Sequence, residues 1–145
     1  MKKVVLAIVL LVISLNAGWF QSSTVQNNEE PMLQATPFNE FQDKIGKTPI
    51  MIEFGSTSCL YCQKMGQILY KIKQENPKSN IYFVNIYKDM PTAKKFGIKM
   101  IPTQVYLNKD GHIIGRHMGL IERDKLEIKL KNLEIIKKGD ENNHN

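Results

Sequence analysis

Cys59 and Cys62 are the only cysteines in a chain of 145 residues, and they stand three positions apart. An apolar run over residues 49–54 ends in the small, polar stretch Gly55-Ser56-Thr57-Ser58, and a helical pattern opens at Cys59. The pair therefore falls at a strand-to-helix junction. Unsatisfied backbone N–H groups and the macrodipole at a helix N-terminus favour negative charge, so a thiolate at Cys59 is stabilised there. Cys62 follows within one turn, close enough to close a disulfide. A scaffold stapled by disulfides needs several pairs along the chain, which leaves chemistry or metal binding for this one. The arrangement suits reversible dithiol-disulfide exchange, opened by attack of the Cys59 thiolate.

The elements that must hold the pair follow from the hydrophobic pattern. Residues 50–54 read as a buried strand, apolar except for Glu53. Residues 60–75 read as a helix with Met65, Ile68, Leu69 and Ile72 on one face, ended by Asn76-Pro77. Residues 81–86 are rich in β-branched and aromatic side chains and form a second buried strand, parallel to the first through the crossover helix. Pro91 starts a short helix that Gly97 ends. Residues 103–107 and 112–118 flank the turn Asn108-Lys109-Asp110-Gly111 as a β-hairpin. Leu126, Leu130 and Leu133 mark a closing helix over residues 122–138. Upstream, Phe38, Phe41 and Ile45 predict a short amphipathic helix before Gly46. The sum is one α/β domain, a central mixed β-sheet flanked by helices.

The ends differ in character. Residues 1–17 carry Lys2 and Lys3, then an apolar run, then small and polar residues up to Ala17, the pattern of an export signal; an uncleaved N-terminal anchor is the alternative. Either reading places the domain outside the cytoplasm. Residues 18–34 form a linker whose stretch from Gln21 to Pro31 is polar, the domain occupies 35–138, and 139–145 form a polar tail with His144. The net charge is +6; loss of residues 1–17 removes two lysines and no acid, leaving +4. Lysines spread without clustering or aromatic interleaving describe a solvated surface and exclude a nucleic-acid partner.

The strand leads into Cys59-Leu60-Tyr61-Cys62, Phe96-Gly97-Ile98 precedes Met100-Ile101-Pro102-Thr103, a hairpin follows, and Gly119 comes just before the last helix. With these features the chain resembles the thioredoxin family over residues 38–138. The resemblance implies the thioredoxin-like fold, with Pro102 as a cis-proline beside the cysteines. It leaves the backbone around Ile101 free to pair with an extended substrate, so Leu60, Tyr61, Ile101 and Pro102 make up the expected substrate-binding surface. It also implies a role for Glu53, six residues before Cys59, as a buried acid that accepts the proton of Cys62. Three positions depart from the family pattern: Ser58 replaces the tryptophan before the first cysteine, Leu60-Tyr61 replaces Gly-Pro, and the proline of the following helix is missing around Gln67.

The function implied is that of an exported protein-disulfide reductase needing no cofactor beyond the Cys59–Cys62 disulfide. Expected partners are disulfide-containing exported proteins, apocytochromes among them, and a membrane thiol carrier as electron donor, with the chain acting as a monomer. A dithiol oxidase or isomerase of the same fold is the alternative within the class. The alternative outside it is a Cu(I) or Zn(II) chaperone using the cysteines with His112 or His117. Those histidines stand five apart on one predicted strand and face opposite ways, so no resident metal is expected.

Overall fold

In the computed structural model, residues 30–137 are described. The export segment, most of the linker and the tail at 139–145 lie outside the described residues. Among the described residues no helix is long and apolar enough to cross a membrane.

The sheet is built as the pattern predicts. Strand β1 (Ile50–Gly55) is joined through helix α1 (Leu60–Glu75) to β2 (Ile81–Asn85), and helix α2 (Met90–Lys95) leads to the hairpin of β3 (Thr103–Leu107) and β4 (Ile113–Met118). Helix α3 (Arg123–Asn132) closes the domain. The strand order is β2-β1-β3-β4, with β1 parallel to β2 and antiparallel to β3, a mixed sheet. A crossover helix delivers the parallel pair and a short turn the antiparallel one.

Alternation along β1 divides the core in two. Ile50, Ile52 and Phe54 face Phe38, Phe41, Ala93 and Phe96, under α2. Met51 faces Met65, Leu69 and Ile72 of α1 and Leu126 and Leu130 of α3. Glu53 and Gly55 lie on this second face, in step with Met51.

The structure corrects four boundaries. The helix expected over 38–45 is two 3-10 turns, Phe38–Glu40 and Gln42–Lys44. Phe38 and Phe41 still bury together, because a spacing of three matches three residues per turn, while Ile45 is already extended. The second hairpin strand begins at Ile113, and the second buried strand ends at Asn85. Helix α3 stops well short of residue 138. Glu134 takes a left-handed φ of 57°, its N–H donates to Lys131 O at 3.2 Å, and Ile135 N–H donates to Leu130 O at 2.9 Å. This double bond pattern terminates a helix, and it folds Ile135 and Ile136 back into the core. The described part of the linker is tied down as well, Leu33 N–H donating to Gly66 O at 2.9 Å, and Ala35, at the start of the domain, bridges to Phe83.

Candidate active site

The turn between β1 and α1 presents Cys59 as the N-cap of a 16-residue helix. Its extended backbone (φ −99°, ψ 118°) aims Sγ back over the first turn, where it accepts the N–H of Cys62 at 3.2 Å. Serine or aspartate oxygens usually fill this role; here sulfur does, and negative charge on it gains the most from the donor and the dipole. The turn is braced by Ser56, whose Oγ lies 2.8 Å from Ser58 Oγ and accepts the Ser58 N–H at 3.1 Å, and by Gln63 Nε2, which donates to Thr57 O at 2.7 Å. Cys59 and Cys62 form a disulfide with Cα atoms 5.1 Å apart. Cys59 is half-buried and faces outward, whereas Cys62 is 1 % exposed. One sulfur is reachable and the other waits behind it.

Gly55 makes room for the inner sulfur. A carbon added there would stand 3.1 Å from Cβ and 3.3 Å from Sγ of Cys62, and 3.2 Å from the ring of Phe83. Glu53, two residues earlier on the same face, is 1 % exposed, and neither carboxyl oxygen has a hydrogen-bond partner among the described residues. Burial pushes its carboxyl up to about 8, with the Gln104 carboxamide opposing part of the rise. This buried acid is therefore largely neutral at pH 7.

Phe54 pairs with Thr103, which sets the chain just before β3 beside the turn that carries the cysteines. Here the Ile101–Pro102 peptide bond is cis, and Pro102 O accepts the N–H of Gly119 at 2.8 Å. Ile101 is half-buried, and Leu60 and Tyr61 stand outward at 62 % and 58 % exposure. Lys64 Nζ lies 5.8 Å from the Tyr61 ring centre. Met100 and Met118 are exposed too, and Met118 pairs with Thr103. Exposed apolar side chains thus stand both at the first turn of α1 and at the start of β3.

The histidines are not gathered at the cysteines. His117 pairs with Gln104, while His112 precedes β4 at the end away from Thr103. Among the described residues no three His, Cys, Asp or Glu side chains are grouped to hold a metal ion.

A family model described as a thioredoxin-like domain matches residues 40–134. The chain belongs to the thioredoxin family. Thioredoxin of Chlamydia trachomatis is 31 % identical over 99 residues, which cover 68 % of this chain and 95 % of that one. Thioredoxin of Chlamydia muridarum is 30 % identical over 95 residues, 66 % of this chain and 92 % of that one. Among solved structures, oxidised mitochondrial thioredoxin 3 from Saccharomyces cerevisiae superposes with a TM-score of 0.58 at 28 % identity, covering 70 % of this chain and 95 % of that one. With this fold and a disulfide-forming CxxC pair, the chain is a thiol-disulfide oxidoreductase of the thioredoxin family.

Sequence reading passed over two neighbours of the acid. Gln104 is fully buried on β3 in register with Glu53, and Tyr106, two residues on, is fully buried on the same face. Burial, reinforced by the charge of Glu53, pushes the Tyr106 phenol above its ordinary range. The available signal was a glutamine in the middle of an otherwise apolar strand, where a lone polar side chain requires a partner.

Proposed function

We propose that this oxidoreductase is exported and works as a reductant, returning the disulfides of extracytoplasmic proteins to dithiols. The observation that supports the reading is a buried carboxyl on the sheet face over which the inner cysteine packs: Glu53 is buried two residues before Gly55, which Cys62 touches. Reduction of a substrate needs a base there, because the inner thiol must be deprotonated to finish the reaction.

The cycle starts with both cysteines reduced. The Cys59 thiolate, favoured by the helix N-terminus, attacks one sulfur of a substrate disulfide, and the other sulfur leaves as a thiolate. Leu60, Tyr61 and the backbone at Ile101 and Pro102 hold the substrate strand alongside. Cys62 gives its proton to the ionised fraction of Glu53 and attacks Cys59 Sγ. The Cys59–Cys62 bond forms, the bond to substrate breaks, and the second substrate thiolate is released. The substrate gains two electrons and the protein loses two, so an external dithiol must reduce Cys59–Cys62 for the next turn.

The charged and apolar pattern of residues 1–17 supports export, cleaved or retained as an anchor. Outside the cytoplasm the natural electron source is a membrane thiol carrier, and the substrates are exported proteins with disulfides to be opened, apocytochromes included. The protein acts as a monomer and has no nucleic-acid partner.

The test is the reduction potential of the pair, measured by equilibration against dithiothreitol and glutathione buffers with thiol trapping. A value near that of thioredoxin, about −270 mV, supports the reductant. A value near that of a strong dithiol oxidase, about −120 mV, reverses the direction.

A further inference from the structure

Glu53 has one polar neighbour across the sheet. On β2 it stands in register with Phe83, whose ring has no N–H or O–H to offer a carboxyl, and on β3 it stands in register with Gln104. Directly opposed residues of an antiparallel pair put their side chains on one face, with Cβ atoms about 5 Å apart. Glu53 is 1 % exposed and Gln104 fully buried, so carboxyl and carboxamide face each other inside the core. The amide is anchored from the other side. Gln104 Nε2 donates to Gly119 O at 3.1 Å, and the Gly119 N–H donates in turn to Pro102 O at 2.8 Å. That bond takes one of the two hydrogens on Nε2 and leaves the second for the carboxyl. Gln104 Oε1 and both carboxyl oxygens of Glu53 have no partner among the described residues.

We propose that Gln104 is a positioning residue for the proton acceptor: with one amide hydrogen held by Gly119 O, it offers the other to Glu53 and stabilises the ionised carboxyl. The anchored amide serves both forms of the acid as it stands. A neutral carboxyl donates its O–H to Oε1, and a carboxylate accepts the second N–H. The two are not equal, because a hydrogen bond to a charged acceptor is roughly twice as strong as one between neutral groups. The balance favours ionisation and so opposes burial, which is the direction in which Gln104 acts on Glu53. The inference rests on the reading of Glu53 as proton acceptor. By keeping a fraction of the acid ionised in a core that disfavours charge, Gln104 keeps the base available to Cys62 near neutral pH.

The other titratable groups on this face are Cys62 on α1, locked in the disulfide, and Tyr106 on β3, a phenol that burial keeps protonated. Lys129 of α3 stands over Tyr106 with its Nζ 4.4 Å from the ring centre, and His117 of β4 is in register with Gln104.

The test is a pH titration of the oxidised full chain by NMR, following the side-chain carboxyl carbon of Glu53 in the wild type and in Gln104→Met. Methionine is close to glutamine in volume and has neither amide function. We expect the Glu53 midpoint to rise by about one pH unit in the variant, and equally in the His117→Asn background. A midpoint that stays or falls, or that rises only while His117 is present, overturns the proposal. If the methionine variant does not fold, the wild type decides: the Gln104 side-chain amide resonances should shift with the Glu53 midpoint and lose that step in Glu53→Gln. Silence through the titration, or a step that survives in Glu53→Gln, overturns the proposal. The oxidised protein does not turn over, so these outcomes are independent of the role of Glu53 as base. That role is read separately from the pH profile of mixed-disulfide resolution, whose midpoint should move with that of Glu53 in Gln104→Met. A profile that stays in place while Glu53 titrates higher upholds the action of Gln104 on the acid and removes Glu53 as the base.

Discussion

Cys62 packs directly onto Gly55: a carbon added to the glycine would stand 3.1 Å from Cβ and 3.3 Å from Sγ of the cysteine. The strand and the inner sulfur meet at a distance that leaves no room for a side chain, with the Phe83 ring closing the third side at 3.2 Å. Gly55→Ala therefore forces Cys62 and Phe83 apart by a few tenths of an ångström each, against a sheet and a helix that resist. Overpacking of this kind costs about 1–3 kcal/mol. We expect a lower urea midpoint with an unchanged m-value, and slower closure of the Cys59–Cys62 bond because the inner sulfur is displaced. Unchanged stability would show that the helix shifts freely, and the close contact would then have no part in holding Cys62.

Glu53→Gln should change how stability depends on pH. The folded protein holds the Glu53 proton up to about 8, whereas the ordinary value is 4.5. The stability contributed by the protonated acid is complete below the unfolded value and is lost as pH rises through the folded one. A shift of this size corresponds to a loss on the order of 3–5 kcal/mol between pH 4 and 9. Urea unfolding of the oxidised protein at several pH values should show this decline in the wild type and a flatter profile in Glu53→Gln. Parallel profiles would mean that water reaches the carboxyl. The same variant should resolve mixed disulfides about 100-fold more slowly near pH 8, the ordinary worth of a positioned base.

The difference between Glu53 and Gln104 shows what the amino-acid sequence discloses. Glu53 is visible as the one charge in a buried run, and the strand, the turn and the helix around the cysteines follow from local periodicity and turn residues. Gln104 acquires its meaning only from the antiparallel pairing of β1 with β3, a contact between residues about fifty positions apart that no local pattern encodes. The end of α3 failed for another reason. Glu134 adopts the left-handed conformation that usually signals itself by glycine, and the burial of Leu130, Ile135 and Ile136 together overrides that preference. Phe38 and Phe41 gave the correct buried face and the wrong helix type, since a spacing of three fits both α and 3-10 turns over so short a span.

Tyr106→Phe should stabilise the protein. The ring is fully buried and retains its contact with Lys129, whose Nζ lies 4.4 Å from the ring centre, while the hydroxyl has no partner among the described residues. An unpaired buried polar group carries a desolvation cost of about 1–3 kcal/mol, and phenylalanine removes it without opening a cavity of consequence. We expect the urea midpoint to rise, by an amount equivalent to about 1 kcal/mol. A fall of that size would show that the hydroxyl is hydrogen-bonded, with Glu53 or Gln104 as the nearest candidates.

The division of labour between the cysteines is tested by removing each in turn. Cys59 is half-buried, caps α1 and accepts the Cys62 N–H at 3.2 Å, so it is the sulfur that meets a substrate first. Cys62, 1 % exposed, reaches only Cys59. With Cys62→Ser, attack by Cys59 still occurs but nothing displaces the substrate, and covalent mixed disulfides should accumulate, visible on non-reducing gels and lost on reduction. With Cys59→Ser, neither turnover nor trapping is expected, since the remaining thiol is shielded from substrate. The trapped adducts also report direction. Reduced Cys62→Ser protein mixed with an oxidised, disulfide-containing substrate should be captured within the time of one turnover. Capture by Cys59→Ser in place of Cys62→Ser would exchange the two roles and place the outer sulfur second in the reaction.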